Sequence, residues 1–306
     1  MTRPLIEAAR SRARLYRRIR EFFLQRGHLE VDTPVLGRAT GTDRHIQSLE
    51  VAVNGARHFL QTSPELYMKR LLAAASGSIY QICHAFRGEE EGRYHHAEFS
   101  MLEWYSVGLD YRQLMDEVEC LINALVEGGV SIARLSYNEC FRQGLGVDPQ
   151  LADVADLREL VQRELGDVDV GALGFDDCLD LLMSQAIATR FRGFVFIYDY
   201  PATQAALARI RPGDPSVAER FELFHDGVEL ANGFSELIDA DEQRRRFLND
   251  NDLRRRAGLP EYPLDEAFLD ALAGGGMPEC AGVALGLDRL LMVLEGYEHI
   301  DAVTMR

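Results

Sequence analysis

Lysine is nearly absent from this chain: of its 33 lysine and arginine residues only Lys69 is a lysine, so arginine carries the positive charge. We read that as compositional bias. Cysteine is scarce too, with Cys83, Cys120, Cys140, Cys178 and Cys280 widely scattered and no C-x-x-C pair. That spacing excludes a disulfide framework and a cysteine-based zinc site, and the thiols are expected to be reduced and structural. No apolar run approaches the roughly 20 residues of a membrane span. The amino terminus, with Arg3, Glu7, Arg10, Arg12 and Arg14, lacks a signal-peptide apolar core, which predicts a cytoplasmic protein without membrane association. Positive charge itself is in deficit, since 49 acidic residues give a net charge of -16. Free nucleic acid would be repelled unless positive charge were concentrated locally. The local concentrations, arginines 10–20 on one helix and the runs 244–246 and 254–256, read as solvated faces of amphipathic helices.

What is present suffices for a well-buried core, with 306 residues of which 47% are hydrophobic. Residues 5–26 place Leu15, Ile19, Phe22 and Phe23 at helical spacing, and Gly27 ends the helix. Residues 28–36 read as a strand broken by Pro34, tolerable only at an edge or an interface. Residues 46–61 alternate around the hairpin turn Asn54-Gly55. A helix then begins at Ser63-Pro64-Glu65, with serine at the cap and proline first inside. Residues 80–89 and 98–105 predict an antiparallel hairpin joined by a charged loop that includes Glu90. By parity Arg87 and Glu89 share one strand face, and Phe99, Met101, Glu103 and Tyr105 share another. Such a face is too polar for ordinary core. Residues 112–125 are helical, residues 136–192 read as a helical insertion without identifiable chemistry, and residues 194–198 resume an apolar strand.

The turn Asp226-Gly227 predicts a second hairpin. It sets Phe224 opposite Glu229 and Glu222 opposite Ala231, so Glu222 and Glu229 lie diagonally on one face. Two carboxylates this close raise each other's pKa unless a cation compensates, and Mg2+ carried with a polyphosphate fits. Glu236 adds a third carboxylate. Near the end a strand runs through Gly286 into an apolar helix, with Arg289 in its first turn, where a ligand can approach the backbone closely.

In order and spacing these features resemble the three signature motifs of class II aminoacyl-tRNA synthetases, in the lysine branch. Residues 27–36 with Pro34 resemble motif 1, Phe86-Arg87-Gly88-Glu89 through His96 and Phe99 motif 2, and Gly286-Leu287-Asp288-Arg289 motif 3. Ser63-Pro64-Glu65-Leu66-Tyr67-Met68-Lys69 and Met101-Leu102-Glu103-Trp104-Tyr105 extend the likeness over nearly the whole chain. Lysyl-tRNA synthetases carry an amino-terminal OB-fold that reads the anticodon, for which residues before motif 1 leave no room. With Glu229-Leu230-Ala231-Asn232-Gly233-Phe234, the chain is similar to freestanding paralogues that aminoacylate a lysine of elongation factor P.

The resemblance implies an α+β fold: a class II synthetase catalytic domain, an antiparallel β-sheet flanked by helices, spanning residues 1–306 as a single domain and forming a homodimer through motif 1. It implies ATP and Mg2+ as cofactors, elongation factor P and β-lysine or lysine as partners, and no stable tRNA binding. Arg87 would hold the α-phosphate and reacting carboxylate, with Glu229 and Arg289 completing the catalytic set. Phe99 and Arg289 would sandwich adenine, while Glu89, His95, His96, Leu230 and Gly286 line the nucleotide. Glu222 and Glu229 would hold the metal. Ser63, Pro64 and Glu65 would meet the amino end of the substrate, and Glu103, Tyr105, Asn232, Phe234, Glu236 and Ala284 would shape its pocket. Glu236 would take the distal ammonium. His96 stands where the relatives have asparagine. Ala284 replaces the glycine of lysyl-tRNA synthetases, which favours (R)-β-lysine over α-lysine. Two rivals remain open: a synthetase-like enzyme charging RNA, and a catalytically silent regulatory module.

Overall fold

The computed structural model describes residues 5–89 and 91–305; Arg3 of the amino-terminal series and Glu90 of the charged loop lie outside the described residues. Helix α1 (Leu5–Gln25) buries Leu15, Ile19, Phe22 and Phe23 as its spacing predicts. Phe23 stacks on Tyr80 at 4.5 Å. Its arginines are not merely solvated, which corrects the sequence expectation. Arg12 pairs with Asp288 and donates to Ser100 Oγ at 2.9 Å. Arg18 donates to the carbonyls of Leu125 and Ala124 at 2.9 and 2.6 Å, satisfying a helix end whose last carbonyls have no intrahelical donor.

Strand β1 (Leu29–Glu30) is short, and the chain leaves the sheet before Pro34. Strands β2 (Leu36–Gly37), β3 (Glu50–Val53) and β4 (Ala56–Leu60) then form a small separate sheet. Asn54 and Gly55 both have positive φ, 51° and 77°, as a tight hairpin turn requires. Helix α2 (Glu65–Ala73) follows, with Pro64 rather than Ser63 at the capping position. Strand β5 (Ile79–Phe86), strand β6 (Glu98–Val107) and helix α3 (Tyr111–Leu125) complete the first half.

The second half opens with β7 (Ala133–Ser136) and helices α4 (Tyr137–Leu145), α5 (Val154–Leu165) and α6 (Phe175–Leu181). Next come β8 (Phe194–Pro201), β9 (Val217–His225) and β10 (Val228–Ser235). Helices α7 (Ala240–Arg256) and α8 (Glu266–Ala273), strand β11 (Cys280–Gly286) and helix α9 (Leu287–Leu294) close it.

The main sheet has the order β1-β5-β6-β11-β10-β9-β8-β7. Its six central strands are antiparallel, but the pairs at both edges, β1/β5 and β7/β8, are parallel, which modifies the expected antiparallel sheet. Parallel neighbours need a long crossover connection. The helices of the insertion supply one at the β7/β8 edge. Period-two alternation sorts the sheet's two faces. Leu102, Trp104, Phe221, Leu223, Leu230, Val283 and Leu285 pack beneath α1, α3 and α9. Val195, Ile197 and Phe224, on the opposite face, pack under α4–α6. The rest of that second face carries the polar residues of the hairpins.

The second arginine run is also more than surface. Arg254 of α7 is fully buried, lies 4.0 Å over the Tyr262 ring and donates to the carbonyls of Pro260 and Asp43 at 2.7 and 2.8 Å.

Candidate active site

Strand registry assembles the site in rows across the sheet. Glu103 pairs with Ala284, Ala284 with Asn232, and Asn232 with Glu222. One row along, Tyr105 pairs with Gly282, Gly282 with Phe234, and Phe234 with Arg220. Glu222 therefore faces Asn232, not Ala231 as expected, because the β9/β10 register shifts between Glu229 and Ala231. That bulge has a functional consequence. Strict alternation would send Glu229 to the face opposite Asn232 and Phe234, and the extra residue brings all three together.

Rows and flanking helices enclose a cavity of about 810 Å3, lined by Ser63, Glu65, Arg87, Glu103, Tyr105, Asn232, Phe234, Glu236 and Ala284 among others. Gly282 is required at its floor, since a Cβ there would sit 2.4 Å from both Glu236 Oε1 and the Tyr105 ring. Lys69, one turn after Glu65 on α2, is fully buried and lies 2.5 Å from Glu65 Oε1 and 2.5 Å from Glu236 Oε2. Glu236, expected to stand ready for a substrate ammonium, thus already has one cation beside it. Tyr105 OH donates to Glu103 Oε1 at 2.6 Å, while Glu103 Oε2 and Glu236 Oε1 are buried without a hydrogen-bond donor among the described residues. Burial pushes the Glu103 carboxyl up to about 8, with Glu65 adding to the effect. It pushes Glu236 up to about 8 as well, against the pull of Lys69. The two carboxylates beside Lys69 hold it cationic despite its burial.

A second cavity, of about 360 Å3, is lined by Tyr94, His95, Tyr200, Glu222, Glu229 and Arg289 with others. Arg289 ties three elements together, donating from Nε to Tyr94 O at 3.1 Å and from Nη1 to Glu229 O at 3.0 Å. Glu222 accepts from Tyr200 OH at 2.6 Å and from Arg220 at 2.5 Å. Burial pushes its carboxyl up to about 7; Arg220 opposes the rise and Glu229 adds to it. The two cavities share Asp180, Gln204 and Arg220 on their walls.

Some expected nucleotide residues are placed otherwise. Glu89 lies past the end of β5 with φ 62° and an exposed side chain, so the parity argument does not reach it. His96 turns toward the carboxy terminus, its Nε2 at 2.9 Å from Asp301. Leu230 buries its side chain in the core and can offer only main chain. Arg87 lies 5.1 Å from the Phe99 ring centroid, and Gly286 caps α9. Pro64 sets the start of α2.

Sequence reasoning passed over Lys69, Arg220 and the insertion. The first two carried a signal, since Lys69 follows Glu65 by four residues on a helix and Arg220 precedes Glu222 by two on a strand. The block read as chemically empty sends Gly174, Phe175, Asp176, Asp177 and Asp180 to the wall of the larger cavity. Among the described residues no cluster of three or more His, Cys, Asp or Glu side chains suits a metal ion by itself. No described helix is long and apolar enough to cross a membrane.

Residues 2–305 match the family described as tRNA synthetases class II (D, K and N). A protein of Vibrio atlanticus named elongation factor P (R)-beta-lysine ligase is 46% identical over 98% of this chain and 95% of its own. Proteins of the same name from Vibrio cholerae and Edwardsiella ictaluri are 46% and 47% identical, over 98% and 95% of this chain and 94% and 92% of theirs.

Proposed function

The chain belongs to the class II tRNA synthetase family, and from that membership we propose an ATP-dependent ligase that activates (R)-β-lysine as its adenylate and transfers it to a lysine ε-amine of elongation factor P. The observation that carries the substrate class is the charge imbalance of the larger cavity. At its floor Glu65, Glu103 and Glu236 form a cluster whose neighbouring cation is Lys69, apart from the arginines elsewhere on the wall. Ionised, they leave two negative charges, which a substrate with two ammonium groups offsets; buried charges are tolerated only when paired. A lysine isomer has that charge pattern. Its carboxylate then faces Arg87 on the same wall.

In the first step the substrate carboxylate attacks the α-phosphorus of ATP and pyrophosphate leaves. Arg87 offsets the charge that develops on the α-phosphate, and the cavity lined by His95, Glu229 and Arg289 takes the nucleotide. In the second step the acceptor amine attacks the acyl carbon and AMP leaves, so no nucleophile of this chain is needed. Glu222 and Glu229 offer hard oxygen donors on one sheet face, a fit for magnesium brought in with the polyphosphate. When bound, the ion neutralises phosphate charge and favours ionised Glu222. We read residues 1–306 as one catalytic domain with a helical insertion at about 136–192. A homodimer through residues 27–36 agrees with the exposed Leu29, Val35 and Leu36. The names of the relatives favour a protein acceptor over RNA, and Arg87, Glu222, Glu229 and Arg289 on the cavity walls favour an enzyme over a silent module.

Pyrophosphate exchange with each lysine isomer, followed by mass spectrometry of elongation factor P, tests this reading. Exchange with β-lysine and a lysine-bearing peptide with added acyl mass are expected, whereas no exchange with either isomer would sink it. Ala284, between Glu103 and Asn232, narrows the cavity by one methyl. Ala284→Gly should shift preference toward α-lysine by about 1–3 kcal/mol.

A further inference from the structure

Three aspartates of the short helix α6 face the site. Asp176 accepts from Thr203 Oγ1 at 2.6 Å, and Asp177 pairs with Arg44 at 2.6 Å. These two contacts pin the helix to the segment after β8 and to the loop that roofs the larger cavity. Asp180 is placed differently. With Gln204 and Arg220 it borders both cavities, and it is the only acid of the three. Oδ1 accepts from Gln204 Nε2 at 2.7 Å, and no described residue bonds to Oδ2. Its side chain is open to the cavities.

Under the ligase reading, on which this inference rests, the junction of the two cavities is where the acyl phosphate lies. The attacking group is a primary amine that arrives as an ammonium ion and is inert until it loses a proton. A carboxylate beside the acyl carbon meets both needs. We propose that Asp180 is the acceptor-amine residue: its carboxylate binds the incoming ammonium group at the junction and takes its proton. The freed nitrogen lone pair attacks the acyl carbon, the bond from that carbon to the phosphate oxygen breaks, and AMP departs as the amide forms. The second nitrogen proton passes to solvent.

The surroundings suit this role. The protein walls push the Asp180 carboxyl above the usual carboxylate range, with His45, Arg220 and Arg44 opposing and Asp176 adding. Glu222 and Tyr137 also lie within electrostatic reach of it. The insertion thus supplies the second half-reaction, and the sheet face supplies the first.

The test uses the full chain carrying Asp180→Asn, with Asp177→Ala as a control for displacement of α6. Pyrophosphate exchange reads adenylation, transfer to elongation factor P reads the second step, and hydroxylamine, unprotonated at neutral pH, traps the adenylate without needing a base. Asp180→Asn should keep exchange and hydroxamate formation close to wild type and lose protein transfer by about a hundredfold. Asp177→Ala should lose far less. Transfer by Asp180→Asn near the wild-type rate, a parallel loss of hydroxamate formation, or an equal loss in Asp177→Ala would each overturn the assignment. Absence of exchange in the wild type would instead remove the ligase reading beneath it.

Discussion

At the scale of single residues, the larger cavity stores protons that its substrate must displace. Burial holds the carboxyls of Glu103 and Glu236 up to about 8, so near pH 7 the free site retains protons that ordinary carboxylates would have lost. A diammonium substrate favours the ionised forms, so the complex binds fewer protons than the free protein. Binding should therefore release protons, and KM for the diamino acid should fall as pH rises from about 6 toward about 8. Calorimetric titrations at neutral pH, in buffers of different ionisation enthalpy, measure the proton count directly. Net uptake would contradict the charge assignment. Glu236→Gln should weaken binding and reduce the release together, since it removes one of the two groups.

At the scale of elements, the roof of that cavity hangs on α7. Arg254 donates to the carbonyls of Asp43 and Ile46 at 2.8 and 3.3 Å, and Thr42 Oγ1 donates to Asp250 at 2.8 Å. Residues 42–46 line the cavity. Arg254→Ala removes a fully buried side chain that packs on Tyr262 and donates to the carbonyls of Pro260, Asp43 and Ile46, and should cost about 3 kcal/mol of stability. It should also raise KM for the amino acid. Urea denaturation and steady-state kinetics on one preparation check both, and a stability loss at unchanged KM would detach the roof from substrate binding. The same helix shows what sequence can and cannot reveal. Parity correctly grouped Glu103 with Tyr105, which share a strand, and Glu222 with Glu229, which a two-residue turn links across neighbouring strands. The bulge after Glu229 was hidden, since it depends on how β10 meets two neighbours rather than on turn residues. Arg254 and Asp180 sit in stretches that read as solvated or empty, and only tertiary packing turns them inward.

At the scale of the whole molecule, the scarcity of lysine gains a chemical meaning. A ligase of this kind makes an acyl adenylate that reacts with primary amines. Its own side chains offer one amine, Lys69, which is fully buried and clamped between Glu65 and Glu236. Those carboxylates keep it protonated and non-nucleophilic. Arginine, which carries the remaining positive charge, stays protonated under all working conditions and is not acylated. The net charge of -16 can then attract an ammonium-bearing partner without presenting side-chain amines that compete with it. Incubated with ATP and its amino acid but without acceptor, the chain should gain no acyl group on any side chain. Intact-mass and peptide-mass measurements read this, and a modified Lys69 peptide would contradict it. Arg245→Lys and Arg256→Lys, at side chains that are 71% and 75% exposed, should each acquire acyl mass under the same conditions. If those variants stay unmodified while adenylate turns over, the scarcity of lysine reflects composition alone, and escape of the adenylate from the site is too slow to have shaped the surface.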